Sequence, residues 1–124
     1  MRSTLVPRTL GALTAAYGAY TLLRPHSLAR AAGLLAPDRP PSPAMRNLGW
    51  AIGARDLISG GAMILTPPGG PLRAALAARV ACDLGDAIGF GVSVPRSSRA
   101  KVIAVAAGWG LACAAAFPAA WSRS

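Results

Sequence analysis

The sequence predicts an all-α fold, namely an integral membrane four-helix bundle with a short interfacial helix between its first two spans. Three observations lead to this prediction: 53% of the 124 residues are hydrophobic, only 14% are charged, and the apolar stretches have about the length that crosses a hydrocarbon core. The length suits one compact domain. We therefore expect a single transmembrane domain over residues 1–124, located in the cell membrane.

Four apolar segments give the predicted spans, which cover about residues 5–23, 47–66, 72–94 and 102–121. Proline ends the first three, because it cannot continue a helix, and no charged residue occurs in the fourth. Between the first two spans, residues 27–35 have the amphipathic pattern of an interfacial helix, which four prolines between positions 37 and 43 prevent from continuing.

The net charge of +9 at first suggests a nucleic-acid partner. However, the arginines lie mostly at the ends of the apolar segments, where membrane topology and anionic headgroups explain them. Aromatic and basic residues do not alternate as they do in proteins that stack on bases, so we expect a lipid bilayer and no nucleic acid as partner. The side that carries more basic residues is expected to face the cytoplasm, which places both termini outside it.

Cysteine and histidine usage gives no sign of a metal or redox centre. Cys82 and Cys113 lie within hydrophobic segments without a Cys-x-x-Cys spacing, and His26 is the only histidine. We therefore expect neither a metal nor any other cofactor.

The acidic residues are the most informative feature of the sequence. Three of the four aspartates lie inside the second and third segments, where two arginines accompany them: Asp56, Asp83, Asp86, Arg55 and Arg79. A charge in the middle of a bilayer costs roughly 2.5–3.5 kcal/mol on insertion scales, so these charges are expected to pair inside the bundle.

Helical periodicity indicates how they pair. On the third segment Arg79, Asp83 and Asp86 share a narrow wedge with Phe90, as neighbours three or four residues apart do. On the second segment one face carries Asp56 and three glycines: Gly49, Gly53 and Gly60. Such a groove of small residues predicts a close approach of these two helices, with Asp56 near Asp83.

Two arginines against three aspartates leave a formal charge of −1. Because an unpaired charge is costly at low dielectric, we expect Asp83 or Asp86 to hold a proton at neutral pH. A carboxylic acid beside a carboxylate and an arginine can act as general acid, general base and anion clamp. The alternative is a salt-bridge network that only specifies how the helices pack.

The order of features resembles an uncharacterised family of small four-span membrane proteins related to the DoxX-like superfamily. The residues that carry the resemblance are Arg24-Pro25, Gly33-Leu34, the stretch Gly53-Ala54-Arg55-Asp56-Leu57-x-x-Gly60, and Asp83 preceded by Arg79. The resemblance covers most of the chain, but only the Gly-x-Arg-Asp-x-x-x-Gly stretch is specific. It implies a four-helix fold and assigns no chemistry.

Three functions remain open from the sequence. The first is a cofactor-independent enzyme that performs acid–base chemistry (isomerisation, cyclisation or epoxide opening) on a small lipophilic molecule. Asp83 and Asp86 would be its acid and base, Arg79 and Arg55 would orient them or hold developing negative charge, and Asp56 would fix Arg55 or position water. The predicted substrate-binding residues are Phe90, Trp50 and Ser59. The other two functions are a small proton-coupled transporter acting as a homodimer and a non-catalytic membrane assembly partner.

Overall fold

The computed structural model describes residues 4–35, 38, 40 and 42–121, and these residues are almost entirely helical. The elements in chain order are α1 (Leu5–Leu23), α2 (Ser27–Ala31), α3 (Pro43–Leu65), α4 (Gly70–Ser93), α5 (Arg96–Ala115) and a 3₁₀ helix (Phe117–Trp121). No strand occurs in these ranges. The all-α part of the predicted fold class is confirmed.

The membrane-spanning part of that prediction is wrong, because no helix within the described ranges is both long and apolar enough to cross a membrane. One reason is that much of the hydrophobic content is alanine, which is only weakly apolar. A second is the number of charged residues inside α3 and α4: Arg46, Arg55, Asp56, Arg73, Arg79, Asp83 and Asp86. The predicted membrane location, orientation, bilayer contact and homodimer gain no support here and stay predictions.

The helix ends differ from the predicted segments where local capping was overlooked. α3 begins at Pro43 instead of residue 47, because the Ser42 hydroxyl accepts a hydrogen bond from the Met45 amide at 3.2 Å and proline suits the first helical position. α5 begins at Arg96 instead of residue 102 and therefore includes Lys101. α2 is shorter than the predicted interfacial helix. Residues 36, 37, 39 and 41 of the proline-rich connection lie outside the described residues.

Glycine brings α1 and α3 into close contact. A Cβ atom added to Gly60 would lie 2.6 Å from the Gly11 carbonyl oxygen, and one added to Gly18 would lie 2.7 Å from the Gly53 carbonyl oxygen. The small-residue face of α3 was predicted to approach the helix that carries Asp83, and this prediction is wrong because the face packs on α1. α4 pairs instead with α5.

The two helix pairs, α1–α3 and α4–α5, are joined at one end by the apolar core. Its buried members come from α3, α4, α5, the 3₁₀ helix and the residue between the last two: Met63, Leu72, Leu76, Cys113, Ala116 and Ala120. At the same end Arg8 caps α3 by donating to the carbonyl oxygens of Met63, Ile64 and Thr66, at 3.1, 2.8 and 2.6 Å. Towards the other end the pairs separate, and α2 lies there.

Two adjacent glycines of α3 test the close helix contact. Gly60→Ala should lower the free energy of unfolding by about 1–3 kcal/mol, because its methyl group would meet the α1 backbone. Gly61→Ala is the matched control, since a Cβ there has no neighbour within 4 Å, and it should be neutral or stabilising by up to about 1 kcal/mol. Urea unfolding of both variants measures the difference. Equal effects would contradict the α1–α3 interface.

Candidate functional site

The side chain of Arg79 on α4 is only 2% exposed and binds two aspartates on different helices. Its Nη1 donates to Oδ1 of Asp56 on α3 at 2.7 Å and to Oγ of Ser59 at 2.9 Å. Its Nη2 and Nε donate to the two oxygens of Asp83, one turn further along α4, at 2.7 and 3.3 Å. Both carboxylates are therefore bound by one buried guanidinium group.

Arg55 on α3 repeats this arrangement nearer the surface, with a side chain that is 30% exposed. Its Nη1 and Nη2 donate to the two oxygens of Asp86 at 2.8 and 2.7 Å. Its Nη2 and Nε also donate to Oδ1 of Asp56 at 3.0 and 3.2 Å. The same oxygen of Asp56 thus accepts from both guanidinium groups.

These five residues form one ionic chain of alternating charge: Asp83, Arg79, Asp56, Arg55 and Asp86. Helix geometry explains the α4 half, since Arg79, Asp83 and Asp86 lie three or four residues apart on one face. The five predicted catalytic residues are all in contact through this chain. Asp56 and Asp83 are linked through Arg79.

A cavity of about 610 Å³ lies between the two helix pairs, with α2 forming part of its wall. Four members of the ionic chain line it, namely Asp56, Arg79, Asp83 and Asp86. Most of the remaining lining is aliphatic or aromatic and comes from all five α-helices. The ionic chain therefore occupies one region of a mostly apolar cavity.

Of the three predicted substrate-binding residues, one lines the cavity and two do not. Phe90 lines the cavity, one turn beyond Asp86 on α4. Trp50 does not line it: the side chain is 44% exposed and stacks with the Arg46 guanidinium, 5.0 Å from the ring centroid. Ser59 is also absent from the lining, and its hydroxyl instead accepts from Arg79 behind the ionic chain.

Sequence reasoning missed several lining residues. Tyr17 and Thr14 come from α1, which the prediction gave no part in the site, and Trp109 and Lys101 come from α5. Trp109 donates from Nε1 to the Thr14 hydroxyl at 3.0 Å, which connects α1 to α5. The sequence contained one signal for Trp109, namely its position in the middle of the predicted span 102–121. A tryptophan that anchors a helix at a membrane interface lies near the end of its segment, so Trp109 needed another explanation.

Burial raises the pKa of Asp83, and the hydrogen bonds and positive charge of Arg79 oppose that shift. For Arg79 itself, burial lowers the pKa, but the hydrogen bonds to Asp56 and Asp83 outweigh it and the net shift is upward. The pKa of Arg55 is also raised, first by its hydrogen bond to Asp86. Both arginines thus stay charged, and Asp83 binds a proton more readily than an ordinary aspartate.

Over the part of the chain that the structure describes, no group of three or more His, Cys, Asp or Glu residues is placed to hold a metal ion. In the ionic chain, guanidinium groups stand between the carboxylates. Cys113 is a buried thiol, and its pKa is raised by burial to about 11. It is therefore not a thiolate near neutral pH.

No protein-family model, no curated protein and no solved structure matches the chain. The resemblance to four-span proteins related to the DoxX-like superfamily stays a prediction. Function is therefore inferred from the geometry and chemistry of the site.

The two arginines of the ionic chain are expected to differ in their contribution to stability. Arg79→Gln should lower the free energy of unfolding by about 3–5 kcal/mol, because it leaves buried carboxylates without their cation. Arg55→Gln should cost only about 1–2 kcal/mol, since water can solvate the partly exposed Asp86. Arg96→Gln, at an exposed position of α5, is the control and should change stability by less than about 0.5 kcal/mol. Equal losses for Arg79 and Arg55 in urea unfolding would contradict this assignment.

The raised pKa of Asp83 predicts a specific pH dependence of stability. Because the folded-state pKa exceeds the unfolded value, Asp83 contributes stability below its ordinary pKa of 3.8, and this contribution is lost as pH rises through the folded-state pKa. The Asp83→Asn variant has no titrating group at this position, so its stability does not decrease in this way as pH rises. The stability of the variant relative to the unmodified chain should therefore rise with pH from about 3.8 and then level off. A relative stability that falls with pH in urea unfolding would contradict the assignment.

Proposed function

We propose that this chain is a cofactor-independent enzyme that performs acid–base chemistry on a small lipophilic molecule bound in the cavity. One observation carries the proposal: an apolar cavity of about 610 Å³ has two carboxylates of α4, Asp83 and Asp86, in its wall beside the Arg79 guanidinium. Binding sites for small molecules are typically cavities of about 300–1,000 Å³ with apolar walls and a few converging polar groups.

The apolar side chains that line the cavity determine which class of ligand it binds. Leu13, Ile52, Val102 and Val105 line the cavity together with aromatic residues, so a bound molecule exchanges water for apolar contact over most of its surface. Such burial contributes about 25 cal/mol per Å² of apolar area. A lipophilic molecule is therefore preferred over a sugar or a nucleotide, which would leave polar groups without partners.

The proposed chemistry uses Asp83 as general acid and Asp86 as general base. Asp83 fits the acid because burial raises its pKa, and Asp86 is the more exposed carboxylate, with 21% of its side chain accessible. In an isomerisation or cyclisation, Asp83 gives a proton to one atom of the substrate and Asp86 takes a proton from another. In epoxide opening, Asp83 protonates the epoxide oxygen while Asp86 takes a proton from the attacking water. The total charge of the ionic chain is unchanged in each case.

The other members of the chain act as positioning residues. Arg79 and Arg55 hold both oxygens of Asp83 and of Asp86, which fixes the planes of the two carboxyl groups. Asp56 accepts from both arginines and so couples the two pairs. A preorganised polar site of this kind needs little reorganisation when charge moves during a reaction.

A second candidate is a protein that binds the same class of ligand without turnover. It is favoured by the observation that both oxygens of Asp83 and of Asp86 already accept hydrogen bonds from an arginine. Proton transfer requires one of these bonds to loosen when the ligand is bound. Binding alone does not.

The test uses two ten-carbon probes, a β,γ-unsaturated bicyclic ketone and a monoterpene epoxide, incubated with the purified chain in D₂O. Turnover of either probe is the expected result by NMR, with deuterium at the carbon that is protonated in the isomerised ketone and a diol formed from the epoxide. Asp83→Asn should reduce the rate at least about a hundredfold, as expected for loss of a general acid, while tryptophan fluorescence shows that binding is retained. Asp38→Asn, at an exposed loop position, is the control and should keep the rate.

Turnover by Asp83→Asn at the original rate would contradict the assigned acid. Binding of both probes without turnover by the unmodified chain would reject the enzyme and favour the second candidate.

A further inference from the structure

Lys101 is a cation in the cavity wall that the proposed chemistry does not use. It lies in the second turn of α5, lines the cavity and is exposed. Among the described residues no salt bridge includes it, and the three aspartates that line the cavity are bound by Arg79 or Arg55. A positive charge is thus available to a bound molecule.

This cation and the ionic chain lie at opposite ends of the cavity. α5 runs antiparallel beside α4, since a Cβ on Gly110 would lie 3.2 Å from Cβ of Asp83 and one on Gly91 would lie 3.1 Å from Cδ1 of Ile103. Lys101 precedes Gly110 by nine residues, which is roughly 13 Å along the helix. The cavity-lining residues of α5 between these two levels are apolar or aromatic, among them Val102 and Val105, whereas on α4 Asp86 lies about one turn nearer to Lys101 than Asp83 does.

We propose that the ligand is an amphipathic acid whose anionic head group, such as a carboxylate, binds Lys101 at one end of the cavity. Its apolar body lies along Val105 and Phe90, and its other end reaches Asp83 and Asp86. Binding of the head group is independent of turnover, while the role of the far end rests on the proposed function. An anionic head group finds at Lys101 a cation without a carboxylate partner among the described residues, whereas the arginines of the ionic chain already bind carboxylates, and this difference favours the stated orientation over the reverse.

Electrostatics distinguishes this class of ligand from two others. A neutral lipophilic molecule gains nothing from the Lys101 charge. A lipophilic amine would be attracted by the ionic chain and repelled by Lys101, and so would bind in the opposite orientation. Three probes of equal chain length therefore separate the possibilities: decanoate, decan-1-ol and decylamine.

The experiment measures binding of the three probes to the full chain by isothermal titration calorimetry, below the concentrations at which they aggregate. Decanoate should bind about three- to tenfold more tightly than decan-1-ol, the range expected for a partly exposed ion pair. Lys101→Met removes the charge and keeps an apolar stem, so it should abolish this preference and leave decan-1-ol binding unchanged. Arg99→Gln removes the same charge from an exposed position of α5 outside the cavity lining, and it should keep the preference.

Equal binding of decanoate and decan-1-ol, tightest binding of decylamine, or equal effects of Lys101→Met and Arg99→Gln would each overturn the inference. In those cases a lipophilic probe still binds and the proposed function is untouched. Failure of all three probes to bind would overturn both the inference and the proposed function.

Discussion

The rest of the site depends on the buried guanidinium group of Arg79. A positive charge buried in this way is stable only when carboxylates neutralise it. Asp56 and Asp83 provide these carboxylates from two different helices. The same group thereby joins α3 to α4, and so one helix pair to the other, away from the apolar core. Asp56 also accepts a hydrogen bond from Arg55, which in turn binds Asp86. Arg79 therefore helps to fix the position of Asp86 at the more exposed end of the ionic chain.

The cavity follows from how each helix pair is packed. Glycines place α1 and α3 backbone against backbone, so this interface buries little side-chain volume and large apolar side chains such as Leu23 and Ile58 remain exposed. The bulky buried residues are concentrated at the end of the bundle where α3 turns into α4. Beyond the ionic chain, small residues of α2 and α5, such as Ala31 and Ala106, leave the space between the pairs unfilled.

Helical faces and the clustering of the five charged residues could be predicted from the sequence, but the helix against which each glycine-rich or apolar face packs could not. The common face of Arg79 and Asp83 follows from helical periodicity alone. The glycine face of α3 shows that some helix approaches closely, but its partner was identifiable only from the glycines of α1, Gly11 and Gly18, which the prediction did not consider. The membrane prediction was wrong because it depended on the hydrophobic percentage of the sequence. That percentage counts alanine as hydrophobic and contains no information on charged residues inside the helices. Trp50, which was predicted to bind substrate, lies outside the cavity lining, and Trp109 lies within it, because the exposure of a side chain depends on how whole helices pack.

The electrostatics of the cavity ranks the three reactions considered. An isomerisation through an enolate develops negative charge, which needs a cation with free donors, but the donors of Arg79 and Arg55 are largely occupied by carboxylates and Ser59. Epoxide protonation and cyclisation develop positive charge on the substrate instead, and the carboxylate that Asp83 becomes as it gives up its proton, together with the carboxylate of Asp86, stabilises that charge. Lys101 lies roughly 13 Å along α5 from the level of Asp83, so it opposes this effect only weakly at the proposed acid. Within the proposed function, the site therefore favours reactions that pass through a cationic transition state.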